Sequence, residues 1–327
     1  MKILVETELI LMVFNLYASP FNYPYNRLEQ FHYSFIRDLI ESGYLEYNLL
    51  CEEVYNRRNL NYINDIIKNK LLTTNENYLS TYISSRIGYC FESFVSFYLS
   101  IDDSVRLEML KKCFRNPNKT SAYNEKITCV NLGSYSTELY KPEIYDTHNP
   151  HFDTIFAKIN KQGINQITNC KSDFKTVGFQ IKAIKSSLVT KIINPIYQKK
   201  YPIVLTLLEC ENEYGDIIHT KAQCITKINS SEKKFNKKER QYVMDSIVSP
   251  EEIGIPQNII NEYYNYMYKA FKNEYDFSLY ILKGIWLYND YLIKLGNDIF
   301  NKVSLIQQMQ LPIITPNNEV EILVEAG

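Results

Sequence analysis

The spacing of hydrophobic residues predicts that the chain opens with helices. Apolar and aromatic side chains recur at helical intervals through ELILMVFNLY, RLEQFHYSFIRDLIESGYLEYNLLCEEVYN and LNYINDIIKNKLL, as they do in amphipathic helices. Pro20 and Pro24 separate the first two helices, and the polar stretch 73–77 ends the third. We therefore expect a helical accessory region over residues 1–77.

A different pattern begins near residue 78 and predicts an α/β core. STYISSRIGYCFESFVSFYLS reads as a helix, with Glu92 on its small, polar side. Three strand-like segments follow, KITCVNL, HFDTIFAKI and TVGFQIKAI. LVTKIINPIYQKK then predicts a helix interrupted at Pro195, and YPIVLTLLEC predicts a buried fourth strand. The order over residues 78–230 is thus helix, three strands, helix and strand, and IIHTKAQCITKI is a candidate fifth strand.

The last third of the chain predicts a second helical region over residues 231–327. A basic stretch, SSEKKFNKKERQ, leads into IPQNIINEYYNYMYKAFKNEYDF and SLYILKGIWLYNDYLIKLGNDIFNKVSLIQQM. Tyrosines at these spacings are typical of helix-to-helix packing rather than of a platform for nucleic-acid bases.

Charge is distributed unevenly along a chain whose net charge is only −1. Residues 158–240 contain 15 lysines and one arginine against seven acidic residues. Such a basic segment indicates either a surface that faces a polyanion or a solvated lysine-rich surface.

The cysteines and the N-terminus indicate an intracellular protein. Seven scattered cysteines with no CxxC pair fit reduced thiols better than a disulfide framework or a zinc finger. The apolar opening segment carries Glu6 and Glu8 where a signal peptide needs an uninterrupted apolar core, and no stretch has the length of a membrane span. We therefore expect a cytoplasmic protein that does not associate with membranes.

Alternation within GFQIKAIKSS points to the candidate chemistry. A strand here would place Gln180 and Lys182 on one face, and Phe179, Ile181 and Ala183 on the other. An amide and an ammonium held in this way can face a shared ligand.

An acid in HFD (Asp153), followed by QIK (residues 180–182) on the next strand and preceded by a helix with Glu92, resembles the PD-(D/E)xK nuclease superfamily. The resemblance covers residues 78–227 and implies a restriction-endonuclease-like core. It implies that Asp153, Glu92 and the backbone carbonyl of Ile181 bind Mg²⁺, with Mn²⁺ as an alternative. Lys182 would lie near the attacking water, and Gln180 would complete the catalytic set.

The resemblance also implies a partner and a biological role. DNA, or alternatively RNA, would lie along the basic strands, with phosphates bound by Lys185, Lys191, Lys199 and Lys200. The implied activity is a DNA endonuclease of restriction or anti-phage defence, acting as a homodimer or with a partner subunit of a defence system. Gln180 stands where the commonest pattern has an acid, although relatives similar to the Mrr restriction nucleases also carry glutamine there.

Other interpretations stay open on the sequence alone. The missing acid at Gln180 is compatible with a non-catalytic, nucleic-acid-binding or assembly subunit, and the same fold could serve an RNA-cleaving toxin. An ordinary α/β domain with these side chains on its surface is a further alternative. His148 and His151 with Asp153 could bind a transition metal, or His151 could assist near the phosphate. The chain contains neither a GK[ST] phosphate loop nor a GxGxxG motif, which argues against an NTP-driven motor or an NAD enzyme.

Overall fold

The computed structural model describes residues 27–50, 79–114, 127–160, 163–167, 174–230 and 235–298, and these form a mixed α/β structure. The helices are α1 (Arg27–Glu41), α2 (Leu79–Ile101), α3 (Asp103–Phe114), α4 (Tyr135–Tyr140), α5 (Asn194–Tyr197), α6 (Thr220–Ser230), α7 (Lys237–Asp245), α8 (Gln257–Phe271) and α9 (Ser278–Asp298). A π-helical turn (Val189–Ile193) precedes α5, and a 3₁₀ turn (Glu251–Ile253) precedes α8. The strands are β1 (Ile127–Asn131), β2 (Thr154–Asn160), β3 (Gly163–Gln166), β4 (Gly178–Lys182), β5 (Val204–Thr206), β6 (Glu209–Glu211), β7 (Ile217–His219) and β8 (Ile247–Val248). The predicted α/β class is confirmed.

Six of the strands form one mixed sheet in the order β1-β2-β4-β5-β8, in which β3 also pairs with β2. Strand β2 is antiparallel to β1, β3 and β4, whereas β5 is parallel to both β4 and β8. Strands β6 and β7 form a separate antiparallel hairpin. The sheet therefore changes from antiparallel to parallel pairing at β4, the strand that carries Gln180 and Lys182.

Helices cover both faces of the sheet. On one face, Phe179, Ile181 and Leu205 are buried in a core shared with α1, α2 and α8. On the other face, Val204 packs in a second core with residues of the π-helical turn, α5, α6 and α7. Gln180 is paired with Val204 in the parallel register, so its side chain shares the face of Val204. The alternation predicted for β4 is thus confirmed.

The two flanking helical regions pack onto the same core as the sheet. Helix α1 contacts α2, α8 and α9, and apolar residues of α8 and α9 belong to the core that buries Phe179. The last part of the chain, predicted to be helical, also supplies strand β8, which pairs with β5. Domain boundaries at 77 and 230 remain a prediction.

Three local predictions were wrong. The predicted fourth strand YPIVLTLLEC is divided between β5 in the sheet and β6 in the separate hairpin. The long helix predicted from Arg27 ends at Glu41, because Gly43 adopts a left-handed backbone (φ +73°) that favours glycine. The N–H groups of Gly43 and Tyr44 there donate to the carbonyls of Ile40 and Leu39, in the pattern of a Schellman cap.

The candidate fifth strand IIHTKAQCITKI is a strand only over Ile217–His219, and helix α6 begins at Thr220. The ring of His219 accepts a hydrogen bond from the N–H of Lys221 (3.0 Å) and so satisfies a donor of the first helical turn. The helices predicted before Arg27 and over 60–72 lie outside the described residues.

Candidate active site

Asp153 is positioned by backbone hydrogen bonds to the strands on either side. It lies directly before β2, where its N–H donates to the carbonyl of Phe179 (3.0 Å) and its carbonyl accepts from the N–H of Leu132 (2.9 Å). The next residue, Thr154, is paired with Phe179 in the ladder between β2 and β4. The main chain of Asp153 is therefore as constrained as that of a residue within the sheet.

Gly178 allows β4 to approach β2 this closely. A Cβ atom at residue 178 would lie 2.5 Å from the carbonyl oxygen of Thr154 and 2.8 Å from Cδ1 of Phe152. Glycine in a strand commonly marks such a close backbone approach. The requirement for glycine at the start of GFQIK is thus a packing requirement next to the candidate site.

The side chains of Asp153, Gln180 and Lys182 converge on one point. Oδ2 of Asp153 accepts a hydrogen bond from the N–H of Ile181 (2.7 Å) and lies 3.6 Å from Nζ of Lys182. Nζ of Lys182 donates to Oε1 of Gln180. Gln180 is only 3% exposed, so this hydrogen bond satisfies a buried amide oxygen.

The backbone of Ile181 faces Asp153 and not β5. Hydrogen bonds join the N–H of Gln180 to the carbonyl of Ile203, and the N–H of Leu207 to the carbonyl of Lys182. Because neighbouring residues of a strand direct their backbone groups to opposite sides, the carbonyl of Ile181 lies on the Asp153 side, as does its N–H. This oxygen therefore borders the same site as the carboxylate.

Glu92 reaches the site from helix α2. Oγ of Ser96 lies 2.8 Å from Oγ1 of Thr154 in a buried hydrogen bond, which fixes α2 against the first residue of β2. Glu92 lies one turn earlier on the same side of α2 as Ser96. The charges of Asp153 and Lys182 both act on its carboxyl group. The structure thus brings together all five residues predicted for catalysis and metal binding.

The two carboxyl groups of the site resist ionisation. Burial, reinforced by the charge of Asp153, holds the pKa of Glu92 well above its usual range, although Lys182 opposes this effect. Burial also raises the pKa of Asp153, against the lowering effects of the Lys182 ammonium and the N–H of Ile181. A cation bound between the carboxylates would relieve both the burial penalty and the mutual repulsion.

The donor set suits a hard divalent cation. It consists of two carboxylates, the Ile181 carbonyl and the Gln180 amide, all of which present oxygen. The described parts of the chain contain no group of three or more His, Cys, Asp and Glu residues that could hold a metal. A bound ion would therefore depend on two acidic ligands and on waters, which Mg²⁺ tolerates better than most metals do.

The side chains of His148 and His151 have hydrogen-bond partners outside the candidate site. Nδ1 of His148 lies 2.8 Å from Oγ1 of Thr147, and Nδ1 of His151 lies 2.8 Å from the carbonyl oxygen of Lys200. His151 also contacts the rings of Phe152 and Phe174. Because no metal-binding group of His, Cys, Asp and Glu is found in the described residues, the alternative of a transition-metal site at His148, His151 and Asp153 is wrong.

The lysines predicted to bind DNA have different surroundings. Lys191, Lys199 and Lys200 are exposed on the π-helical turn and the turn after α5. Lys185 is also exposed, and its Nζ lies 4.3 Å from the ring centroid of Tyr264 on α8. Contact of these four lysines with nucleic acid remains a prediction.

Sequence reasoning missed Tyr201 and the pair Ser96 and Thr154. The ring centroid of Tyr201 lies 5.3 Å from Nζ of Lys182, within the range of a cation–π contact. In a chain with 28 tyrosines, no sequence signal distinguishes this one. The serine and threonine occupy small positions of a helix and a strand whose contact only the tertiary structure reveals.

Three further findings concern membrane spans, cysteines and similarity to known proteins. None of the helices within the described ranges is long and apolar enough to cross a bilayer. The five described cysteines are free, and Cys51 and Cys170 lie outside the described residues. The comparisons with known proteins give no match, whether to a family model, to a curated protein or to a solved structure.

Proposed function

We propose that this chain is a metal-dependent endonuclease that hydrolyses DNA phosphodiester bonds. The observation that carries the proposal is the convergence of Asp153, Glu92 and Lys182, from three separate segments of the chain, beside the backbone of Ile181. Two carboxylates beside one ammonium are what phosphodiester hydrolysis needs in order to hold a cation and to stabilise charge on the attacking water and the phosphate.

The fold around the site supports the same proposal. A helix carrying the acid Glu92 precedes the antiparallel strands β1, β2 and β4, with β3 as an additional strand on β2, and a helical segment then leads to β5, which is parallel to β4. This is the element order that the resemblance to PD-(D/E)xK nucleases implies. We infer a restriction-endonuclease-like core from it.

Each residue has a distinct task in the proposed reaction. Asp153, Glu92 and the Ile181 carbonyl would hold Mg²⁺ or Mn²⁺, which supplies positive charge to the scissile phosphate. The Lys182 ammonium orients the attacking water and stabilises the negative charge that develops. Gln180 accepts a hydrogen bond from Nζ of Lys182 and thereby positions the ammonium group. A carboxylate at residue 180 would attract this ammonium more strongly.

The wider biological role follows from this activity. A DNA endonuclease of this kind fits restriction or anti-phage defence in the cytoplasm, acting as a homodimer or with a partner subunit. The exposed Lys191, Lys199 and Lys200 would bind phosphates. Lys200 is linked to the segment before Asp153 through its hydrogen bond with His151.

One observation favours a second candidate function. The site has two carboxylates, and a neutral amide at Gln180 stands where the commonest PD-(D/E)xK pattern has an acid. Weaker metal binding would follow, and a non-catalytic, nucleic-acid-binding or assembly subunit would show this composition.

Plasmid cleavage tests the proposal directly. We expect nicking of supercoiled DNA with Mg²⁺ or Mn²⁺, none with EDTA, and at least a ~100-fold loss in Asp153→Asn and in Lys182→Met. The matched controls Asp245→Asn and Lys238→Met alter residues of α7 away from the site and should retain full activity.

Three other results would support a different function or refute the proposed site. DNA binding without cutting under any metal condition would favour the subunit. Cleavage of RNA but not of DNA would indicate a toxin. Equal activity of wild type and Asp153→Asn would refute the assignment of this site.

A further inference from the structure

A groove of about 540 Å³ lies beyond the carboxyl ends of β4 and β5. One wall is the hairpin of β6 and β7, and the other is helix α8. Lys185 lines the groove three residues after Lys182, so their Cα atoms are at most about 11 Å apart, at about 3.8 Å per residue. At about 3.4 Å per base step, the groove is within about three nucleotides of the proposed cleavage site.

The groove offers a flat ring and two hydrogen-bonding groups. Tyr264 lies on the α8 wall, with Nζ of Lys185 4.3 Å from its ring centroid. Oε2 of Glu209 accepts from the amide of Asn261 (2.6 Å), and Oε1 accepts no hydrogen bond from the described residues. The side chain of Asn265 is exposed in the same groove. Glu209 is therefore held in place by one oxygen and presents the other as an acceptor.

The hairpin wall has a defined shape and an acidic character. Oδ1 of Asn212 accepts from the N–H groups of Tyr214 and Asp216 (both 2.8 Å), which fixes the tip. Four of the seven acidic residues in the basic segment 158–240 lie on this hairpin, at positions 209, 211, 213 and 216. Carboxylates repel phosphates, so the groove is suited to the edge of a base and not to the backbone.

We propose that this groove binds a nucleobase with an exocyclic amino group, presented by the nucleic acid whose cleavage is proposed above. The base stacks on Tyr264 after displacing the flexible Lys185 side chain, and its amino group donates to Oε1 of Glu209. The Asn265 amide meets a second polar atom of the base edge. Lys185, released from the ring, contacts the adjoining phosphate. This inference rests on the proposed function for its substrate, whereas base binding itself requires no metal.

Single-stranded tetranucleotides test the proposal without any cleavage. Cytosine and uracil differ at this edge by an amino group against a carbonyl oxygen, so fluorescein-labelled dC₄ and dU₄ form a matched pair. Fluorescence polarisation in EDTA should show that dC₄ binds at least ~5-fold more tightly than dU₄, as expected for one specific hydrogen-bonded base contact. Asp245→Asn, which removes an exposed carboxylate of α7 outside the groove lining, should bind both as wild type does.

Two variants identify the contacts. In Glu209→Gln the preference for dC₄ should fall to less than ~2-fold, because an amide also donates to the carbonyl of uracil. Glu213→Gln, at the tip of the same hairpin and outside the groove lining, removes the same charge and should keep the preference. Tyr264→Leu should weaken the binding of both oligonucleotides by ~5-fold or more through loss of stacking.

Equal affinity of wild type for dC₄ and dU₄ would overturn the proposal. So would a preference that survives in Glu209→Gln. Binding of an arginine-rich peptide that is lost in Glu209→Gln, with no oligonucleotide preference, would identify the groove as a surface for a basic protein partner instead. A groove that binds dC₄ selectively in a protein that never cuts DNA would leave this inference standing while refuting the endonuclease.

Discussion

Gly178→Ala should damage both stability and activity, because the substitution places a methyl group where β4 meets β2. The new Cβ would lie 2.5 Å from the carbonyl oxygen of Thr154, about 0.9 Å short of the 3.4 Å at which ordinary contact begins, and 3.1 Å from Cα of Ile155. Both are backbone atoms of a paired strand, so relief requires the strands to separate. Overpacking of this kind costs about 1–3 kcal/mol.

The same separation should move Asp153 relative to β4. The N–H of Asp153 is bonded to Phe179, next to Gly178, and its carboxylate is bonded to Ile181. Displacements near 1 Å in an active site cost about 100-fold in rate, so the proposed nuclease activity should fall by about that factor under conditions in which the variant is fully folded. Urea unfolding gives the stability, and metal-dependent plasmid nicking gives the rate.

Gly88→Ala provides the matched control. Gly88 lies within helix α2, and a Cβ atom there meets nothing within 4 Å. Alanine in a helix interior is favoured over glycine by about 0.5–1 kcal/mol, so this variant should be as stable as wild type or more stable, with unchanged activity. Wild-type stability in Gly178→Ala would refute the reasoning about the close approach of β2 and β4.

Three further predictions concern stability measured by urea unfolding. Ser96→Ala should lower the free energy of unfolding by about 1–3 kcal/mol because it leaves the buried Thr154 hydroxyl without its partner. The double variant with Thr154→Val should recover most of this loss of stability, and no recovery would contradict the explanation. Burial tends to raise the pKa of Glu252, but hydrogen bonds from Lys221 and from the N–H of Ser249 outweigh it and lower this pKa to about 2, so the carboxylate stabilises the fold above pH 4.5 and this stabilisation is lost as the pH falls towards 2. Glu252→Gln should therefore be about 2–3 kcal/mol less stable than wild type at pH 7 and nearly equal to it at pH 2. A stability difference that does not change with pH would contradict the ion-pair origin. Burial lowers the pKa of His32 to about 4, so the unfolded chain takes up the proton first, and the free energy of unfolding of wild type should fall by about 2–3 kcal/mol as the pH falls from 6.5 to 4. His32→Gln should remove most of this pH dependence. If the pH dependence persists in His32→Gln, other groups cause it.

The sequence predicted the convergence of Asp153, Gln180 and Lys182 better than it predicted the boundaries of the elements around them. Period-two alternation alone places Gln180 on one face of the sheet and Ile181 on the other, because side-chain direction in a strand depends only on local geometry. The meeting of Asp153 with Ile181 and Lys182 was predictable only through the family resemblance. It depends on the pairing of β2 with β4, a contact between segments that are distant along the chain.

The errors have local physical causes. Gly43 terminates α1 with a left-handed residue, and the apolar pattern on either side of it looked like one helix. At Ile217–His219 three strand residues pass directly into α6, so the β-branched residues on both sides of the junction read as one strand. The position of Lys185 over Tyr264 joins the segment after β4 to a helix much later in the chain, and no pattern within either segment predicts it.

Strand β8 has a practical consequence for protein engineering. A fragment covering residues 78–230 would lack β8, so that β5 would lose its neighbour and become an exposed edge strand of the sheet. The same cut would remove α8 and α9 and so uncover apolar side chains of α2 that share a core with them. A minimal fragment intended for expression should therefore retain α1 and extend through Asp298, since α1, β8, α8 and α9 fold together with the strands and helices between them.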